Sequence, residues 1–186
     1  MPYHIGCSDG CHDRDSADTT ATKSVTLVFH REQLLYDIRN LAYVEGHVLG
    51  DENQHAQHTL VEIGEEGNVD RVSRILDLVH AAAVEMLYPY TKLPTGEEEV
   101  ICDHLWEPDD YVIEMRVPAT MSATTLHLLN RLIHEFMTCR VLYDWLGITH
   151  PEAARHWLEK AMEAKEQVNS IKHTRTGEIR RSLHPF

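Results

Sequence analysis

The chain has 186 residues, of which 42% are apolar and 25% charged, and 17 Lys and Arg against 30 Asp and Glu give it a net charge of −13. This length fits one domain with a core of its own, and the composition is that of a globular chain. The acidity argues against a general nucleic-acid-coating surface, and no run approaches the roughly 18 apolar residues of a membrane span.

Residues 1–23 read as a flexible leader. It has no apolar stretch of the kind a secretory signal carries. This predicts an intracellular chain in which Cys7, Cys11, Cys102 and Cys139 stay reduced. Val25–Phe29 is short, apolar and β-branched, the pattern of a strand. A helix follows from Arg31, with Leu34, Leu35, Ile38, Leu41 and Ala42 at helical spacing and Val48 and Leu49 continuing the stripe. Gly46 and Gly50 weaken its end. Residues 51–63 form a polar helix with a thin apolar edge of Ala56, Leu60 and Ile63.

Asn68 is placed as an N-cap, with Asp70 in the first turn where negative charge suits the helix dipole. The helix beyond it puts Val72, Ile75, Leu76, Val79, Ala83, Met86 and Leu87 on one face. Pro89 stops it, and Tyr88 before the proline is biased towards extended geometry. Residues 91–110 are a loop that exposes the acidic run Glu97–Glu99. Tyr111, Ile113, Met115 and Val117 then alternate with Val112, Glu114 and Arg116, a half-buried strand suited to pair with Val25–Phe29.

Ser122 caps a long helix to Leu146 that is apolar except for a stripe of His127, Asn130, Arg131, His134 and Thr138. A helix of that kind is central or covered by a second subunit. Gly147 is its expected stop. Thr149 and Glu152 read as a capping box, with Pro151 in the first turn of a last helix bearing Ala154, Trp157, Leu158, Ala161, Val168 and Ile171 on one side. The expected fold is therefore mainly α: a single-domain bundle of about five helices with a small two-stranded β element. Its domain spans residues 24–173, and a basic tail occupies 174–186.

From Ile171 onward there are four basic residues and one acid, Glu178, so this end is net +3 against −16 for the rest. Lys172, Arg175, Arg180 and Arg181 precede an apolar ending in Pro185 and Phe186. Together they suggest an arm that docks on an acidic partner surface with a pocket for Phe186; a frayed terminus is the plainer reading.

Fourteen histidines raise the question of a metal. Glu52, His55 and His58 contain the Glu-x-x-His spacing of di-iron bundles, with Glu62 and Glu45 as spare carboxylates and Glu85 at the edge of an apolar stretch. No second Glu-x-x-His occurs; Glu152 and His156 are four apart, and His127 and His134 share a face with no acid at i+3 or i+4. His4, Cys7, Cys11 and His12 have zinc-binding side chains but little around them to pack against. Exposed helix histidines account for the pattern without a metal or cofactor. Cys102-Asp103-His104 are neighbours in sequence, which does not make a catalytic pair. There is no G-x-S-x-G elbow and no phosphate loop. Tyr88, Tyr90, Trp106 and Tyr111 surround the acidic loop as a ligand wall or, more simply, an aromatic core edge.

Several blocks resemble one family. They are Arg31-Glu32-Gln33-Leu34-Leu35-Tyr36-Asp37-Ile38, Ala42-Tyr43-Val44-Glu45-Gly46, Gly67-Asn68-Val69-Asp70-Arg71-Val72 and Glu85-Met86-Leu87-Tyr88-Pro89-Tyr90-Thr91-Lys92. Leu132-Ile133-His134-Glu135, Asp144-Trp145-Leu146-Gly147-Ile148-Thr149 and the Pro185-Phe186 ending belong with them. Over residues 25–186 the chain resembles small virion neck or head–tail connector-like proteins from phages and prophages of Bacteroides-like gut bacteria. The resemblance implies a non-enzymatic structural protein of the virion, present in the host cytoplasm during assembly, that forms a homo-oligomeric ring on a portal or other neck and tail proteins. An acidic body suits a ring through which DNA passes without sticking. The alternatives are a metal-dependent helical-bundle enzyme using Glu52, His55, His58 and Glu62, and a bacterial adaptor with no virion role.

Overall fold

A computed structural model describes residues 21–48, 63, 66–92 and 107–174. In chain order they form β1 (Thr22–His30), α1 (Arg31–Val48), α2 (Glu66–Met86), β2 (Asp110–Pro118), α3 (Ala123–Thr149) and α4 (Pro151–Thr174). The described fold is mainly helical with one two-stranded antiparallel sheet, as the sequence pattern predicts. The expected leader over 1–23 is cut short: residues 1–20 lie outside the described residues, but Thr22 and Lys23 are paired in β1. The Glu97–Glu99 run, the tail from Arg175 and the expected helix over 51–63 apart from the buried Ile63 also lie outside the described residues.

β1 pairs with β2 from Thr22↔Pro118 to His30↔Asp110. Alternation sends Leu27 and Phe29 of β1 and Tyr111, Ile113, Met115 and Val117 of β2 into the core. Two strands alone are marginal in water, so this ribbon is held by the helices under its buried face.

α3 is the centre. Leu129, Ile133, Met137, Val141, Leu142 and Leu146 are almost wholly buried, and α1, α2, α4 and β1 all pack on it. Its start is as the sequence indicates: Ser122 Oγ accepts the Thr125 amide at 3.1 Å. Its end is not. The helix runs through Gly147 to Thr149. A mid-helix glycine costs about 1 kcal/mol relative to alanine, and the buried Trp145 and Leu146 just before it hold the turn in place.

α4 begins at Pro151, so His150, not Thr149, stands at its N-cap position. His150 alone forms the corner: its amide donates to the Leu146 carbonyl (2.7 Å) and its carbonyl accepts from Ala154 (3.0 Å). Pro151 is the first helical residue, where its missing N–H costs nothing. α2 likewise starts two residues before the expected Asn68 cap. Weak helix formers are tolerated there because the first-turn amides have no intrahelical partners to lose.

An added Cβ at Gly147 meets nothing within 4 Å. Gly147→Ala is therefore expected to stabilise the fold by about 0.5–1 kcal/mol, read as a higher urea midpoint at unchanged m-value.

Candidate functional site

Three features carry the polar and exposed apolar chemistry of the described residues. The first is a polar cleft between α1 and the polar stripe of α3. His134 Nε2 donates to Asp37 Oδ2 at 2.8 Å, and Gln33 Nε2 donates to Asp37 Oδ1 at 3.0 Å. His127, Asn130 and Arg131 complete a cavity of about 400 Å³. The Asn130 Oδ1 atom is buried without a hydrogen-bond partner among the described residues. A smaller depression, lined by Asp37, Thr138, Cys139, Trp157 and Lys160, extends the cleft towards α4.

An Asp–His pair is the orienting half of a nucleophilic relay and needs an activated partner to react. Cys139 does not provide one. It is 3% exposed, and burial, with Glu135 nearby, pushes its thiol up to about 11, so it stays a thiol at neutral pH. Thr138 is buried too, and its hydroxyl donates to the His134 carbonyl at 2.9 Å. The cleft can bind polar groups, but its thiol is not activated.

The second feature is a polar joint where α2 crosses the entry to β2. The Arg31 guanidinium donates to Ser73 Oγ at 2.9 Å and to Glu107 Oε1 at 3.0 Å. Tyr111 donates its hydroxyl to Asp77 Oδ1 at 2.9 Å, and His80 Nε2 donates to the Val112 carbonyl at 3.1 Å. Ser73, Asp77 and His80 recur at i, i+4 and i+7, so one stripe of α2 supplies all three partners. Burial pushes the Tyr111 hydroxyl well above its usual range and pulls the His80 imidazole below its usual value of 6.5. These shifts mark a structural seam between helix and sheet.

The third feature is an apolar groove of about 450 Å³ between α2 and α4. Val79, Phe136 and Ala161 are its buried residues, while Leu78 and Met162 stand 67% and 54% exposed on its walls. Arg140, Asp144 and Lys165 give it polar edges.

The structure separates the residues that the sequence grouped. Lys172 is not part of an exposed docking arm: it is 7% exposed, and its ammonium donates to the carbonyls of Met86 (2.6 Å) and Tyr88 (3.0 Å) at the end of α2. Those carbonyls have no helical partners, and the negative end of the helix dipole favours a cation there. Arg175, Arg180, Arg181, Pro185 and Phe186 lie outside the described residues, as do Glu52, His55, His58, Glu62, the leader cluster and Cys102-Asp103-His104. Glu45 is half-buried on α1, and Glu85, Glu152 and His156 are exposed. Among the described residues no three His, Cys, Asp or Glu side chains stand close enough to share a metal ion. Of the aromatic residues grouped in the sequence, Trp106 lies outside the described residues. Tyr111 is buried beside His80, Tyr90 places its hydroxyl on the Lys172 carbonyl, and Tyr88 is half exposed.

Sequence reasoning missed one contact here. The acid that serves His134 comes from α1, 97 residues earlier. The only local signal is Gln33 and Asp37, polar residues one turn apart beside an apolar stripe.

Lys172→Met keeps the aliphatic stem but leaves two carbonyls unpaired. It is expected to lower unfolding stability by about 2–3 kcal/mol in urea titrations. His80 has a depressed native pKa, so the unfolded chain takes up its proton first. The stability tied to His80 is complete above about 6.5 and is lost as pH falls through the lowered native value. His80→Gln, which retains a donor for Val112, should lose less stability between pH about 7.5 and about 5 than the wild-type chain does.

No described helix is long and apolar enough to cross a membrane. No family model, curated protein or solved structure matches the chain.

Proposed function

We propose that the chain is a non-enzymatic structural subunit of a phage particle, a head–tail connector or neck subunit that assembles in a ring on the portal. The observation that carries this reading is the apolar groove between α2 and α4. Leu78 and Met162 are exposed there above a buried floor, although a soluble chain gains by covering such surface. The exposed chemistry is that of contact: an apolar groove with charged edges and a polar cleft whose one cysteine is held as a thiol. The net charge of −13 suits a ring lumen that repels the phosphate backbone. In this reading the portal is engaged by the basic end of the chain, Arg175, Arg180 and Arg181 with Pro185 and Phe186. Lys172 is the anchor from which that arm departs.

Native mass spectrometry of the full chain, alone and with the portal protein of the same phage, tests the proposal. A metal-free chain that joins the portal in a ring is the expected result. Truncation after Thr174 should weaken joining at least tenfold; unchanged joining would remove the docking-arm assignment. A stoichiometric iron or zinc adduct that disappears in His55→Ala plus His58→Ala would overturn the structural role in favour of a metalloenzyme.

A further inference from the structure

The groove between α2 and α4 has a counterpart on the same molecule. On α1, Leu34, Ile38 and Ala42 are buried, and the opposite face carries Tyr36 and Tyr43, 64% and 52% exposed. These two tyrosines are seven residues apart on one stripe, with Arg39 between them and Glu32 one turn before. Tyrosine supplies large, amphipathic contact area, and it is enriched at protein interfaces.

Ridge and groove face opposite ways. α1 leans on the His127–Arg131–His134 stripe of α3, whereas the groove is walled by Phe136, Arg140 and Asp144. At 3.6 residues per turn these two stripes of α3 are about half a turn apart. One copy cannot fill its own groove with its own ridge, but two copies can do so in sequence. The dimensions agree: Tyr36 to Tyr43 on the ridge and Leu158 to Lys165 along the groove each span about 10 Å at 1.5 Å per residue.

The charges agree too. α3 and α4 run antiparallel from the corner at His150, so Asp144 and Lys165 stand towards opposite ends of the groove. Glu32 and Arg39 stand about 10 Å apart on the ridge and offer each a partner of opposite sign. Among the described residues, Asp144 is held by a long 3.4 Å contact to Arg140.

We infer that the α2–α4 groove receives the Tyr36–Tyr43 face of α1 from a second copy of this chain. The inference rests on the assembly reading above and narrows it to a contact between copies. Such a contact is heterologous, because two different surfaces meet. It closes into a ring when the rotation per copy allows and otherwise continues as a filament.

Complementation between variants tests it, using the full chain in sedimentation velocity. The groove variant is Leu78→Glu plus Met162→Glu, and the ridge variant is Tyr36→Glu plus Tyr43→Glu. Circular dichroism and thermal midpoint check that each folds; serine at the same positions replaces glutamate for a variant that does not. The wild-type chain is expected to self-associate with rising concentration. Each variant alone should associate at least tenfold more weakly. An equimolar mixture should form a 1:1 dimer that does not grow, because one copy keeps only a ridge and the other only a groove.

A wild-type chain that stays monomeric at about 100 µM, a single variant that still self-associates, or a mixture that stays monomeric overturns the inference. A wild-type chain that joins the portal yet never contacts its own copies overturns only this contact. One that self-associates through ridge and groove yet ignores the portal removes the connector role and leaves the contact standing.

Discussion

The structure depends on α3 burying most of its circumference, with a stripe of His127, Leu128, Arg131 and Glu135 left exposed. Its almost fully buried Leu129, Ile133, Met137, Val141, Leu142 and Leu146 point in several directions round one axis. Each such side chain contributes about 1.5–3 kcal/mol when removed from water. Together they favour burial by an amount comparable with the whole net stability of a domain, about 5–15 kcal/mol. The helix therefore has to be surrounded. α4 covers it along its length, α2 and α1 take two further sides, and the buried face of the β1–β2 ribbon lies over what remains. The open groove is where α2 and α4 fail to meet across it.

Burial alone would leave these elements free to slide. Polar contacts at their ends fix the register. At one end, the Lys172 ammonium ties α4 to the last carbonyls of α2, and Tyr90 returns a hydrogen bond to the Lys172 carbonyl. Tyr90 also accepts the Arg116 amide, which brings β2 to the same junction. At the other end, Arg31 bridges α2 and the approach to β2 through Ser73 and Glu107. Both cations are committed to contacts within the fold, although the Arg31 Nε is buried with no hydrogen-bond partner among the described residues.

Elements with strong periodicity were legible in the sequence. The β2 alternation from Tyr111 to Val117, the α2 stripe from Val72 to Met86 and the Ser122 cap all depend on residues a few positions apart. The misreadings came where a local signal was overruled from a distance. Gly147 looks like a stop, but the burial of Trp145 and Leu146 carries the helix past it. Lys172 sits in a basic run and looks like part of the tail, yet its partners are 84 and 86 residues away. The Asp37–His134 pair is invisible for the same reason. Charge read along the chain says nothing about which charges the fold turns inward.

The position of α3 in the chain sets a condition on how the protein is made. Of the described elements, β1 and α1 are made before the others, but β1 must wait for β2, which begins 80 residues after β1 ends. α1 and α2 wait for a central helix that is complete only at residue 149. At about 5–20 residues per second, that is several seconds during which α1 and α2 lack the central helix on which they pack. The short corner at His150 then lets α3 and α4 close on one another with almost no loop to order. A chain cut short before α3 is an amphipathic fragment and a natural client for chaperones.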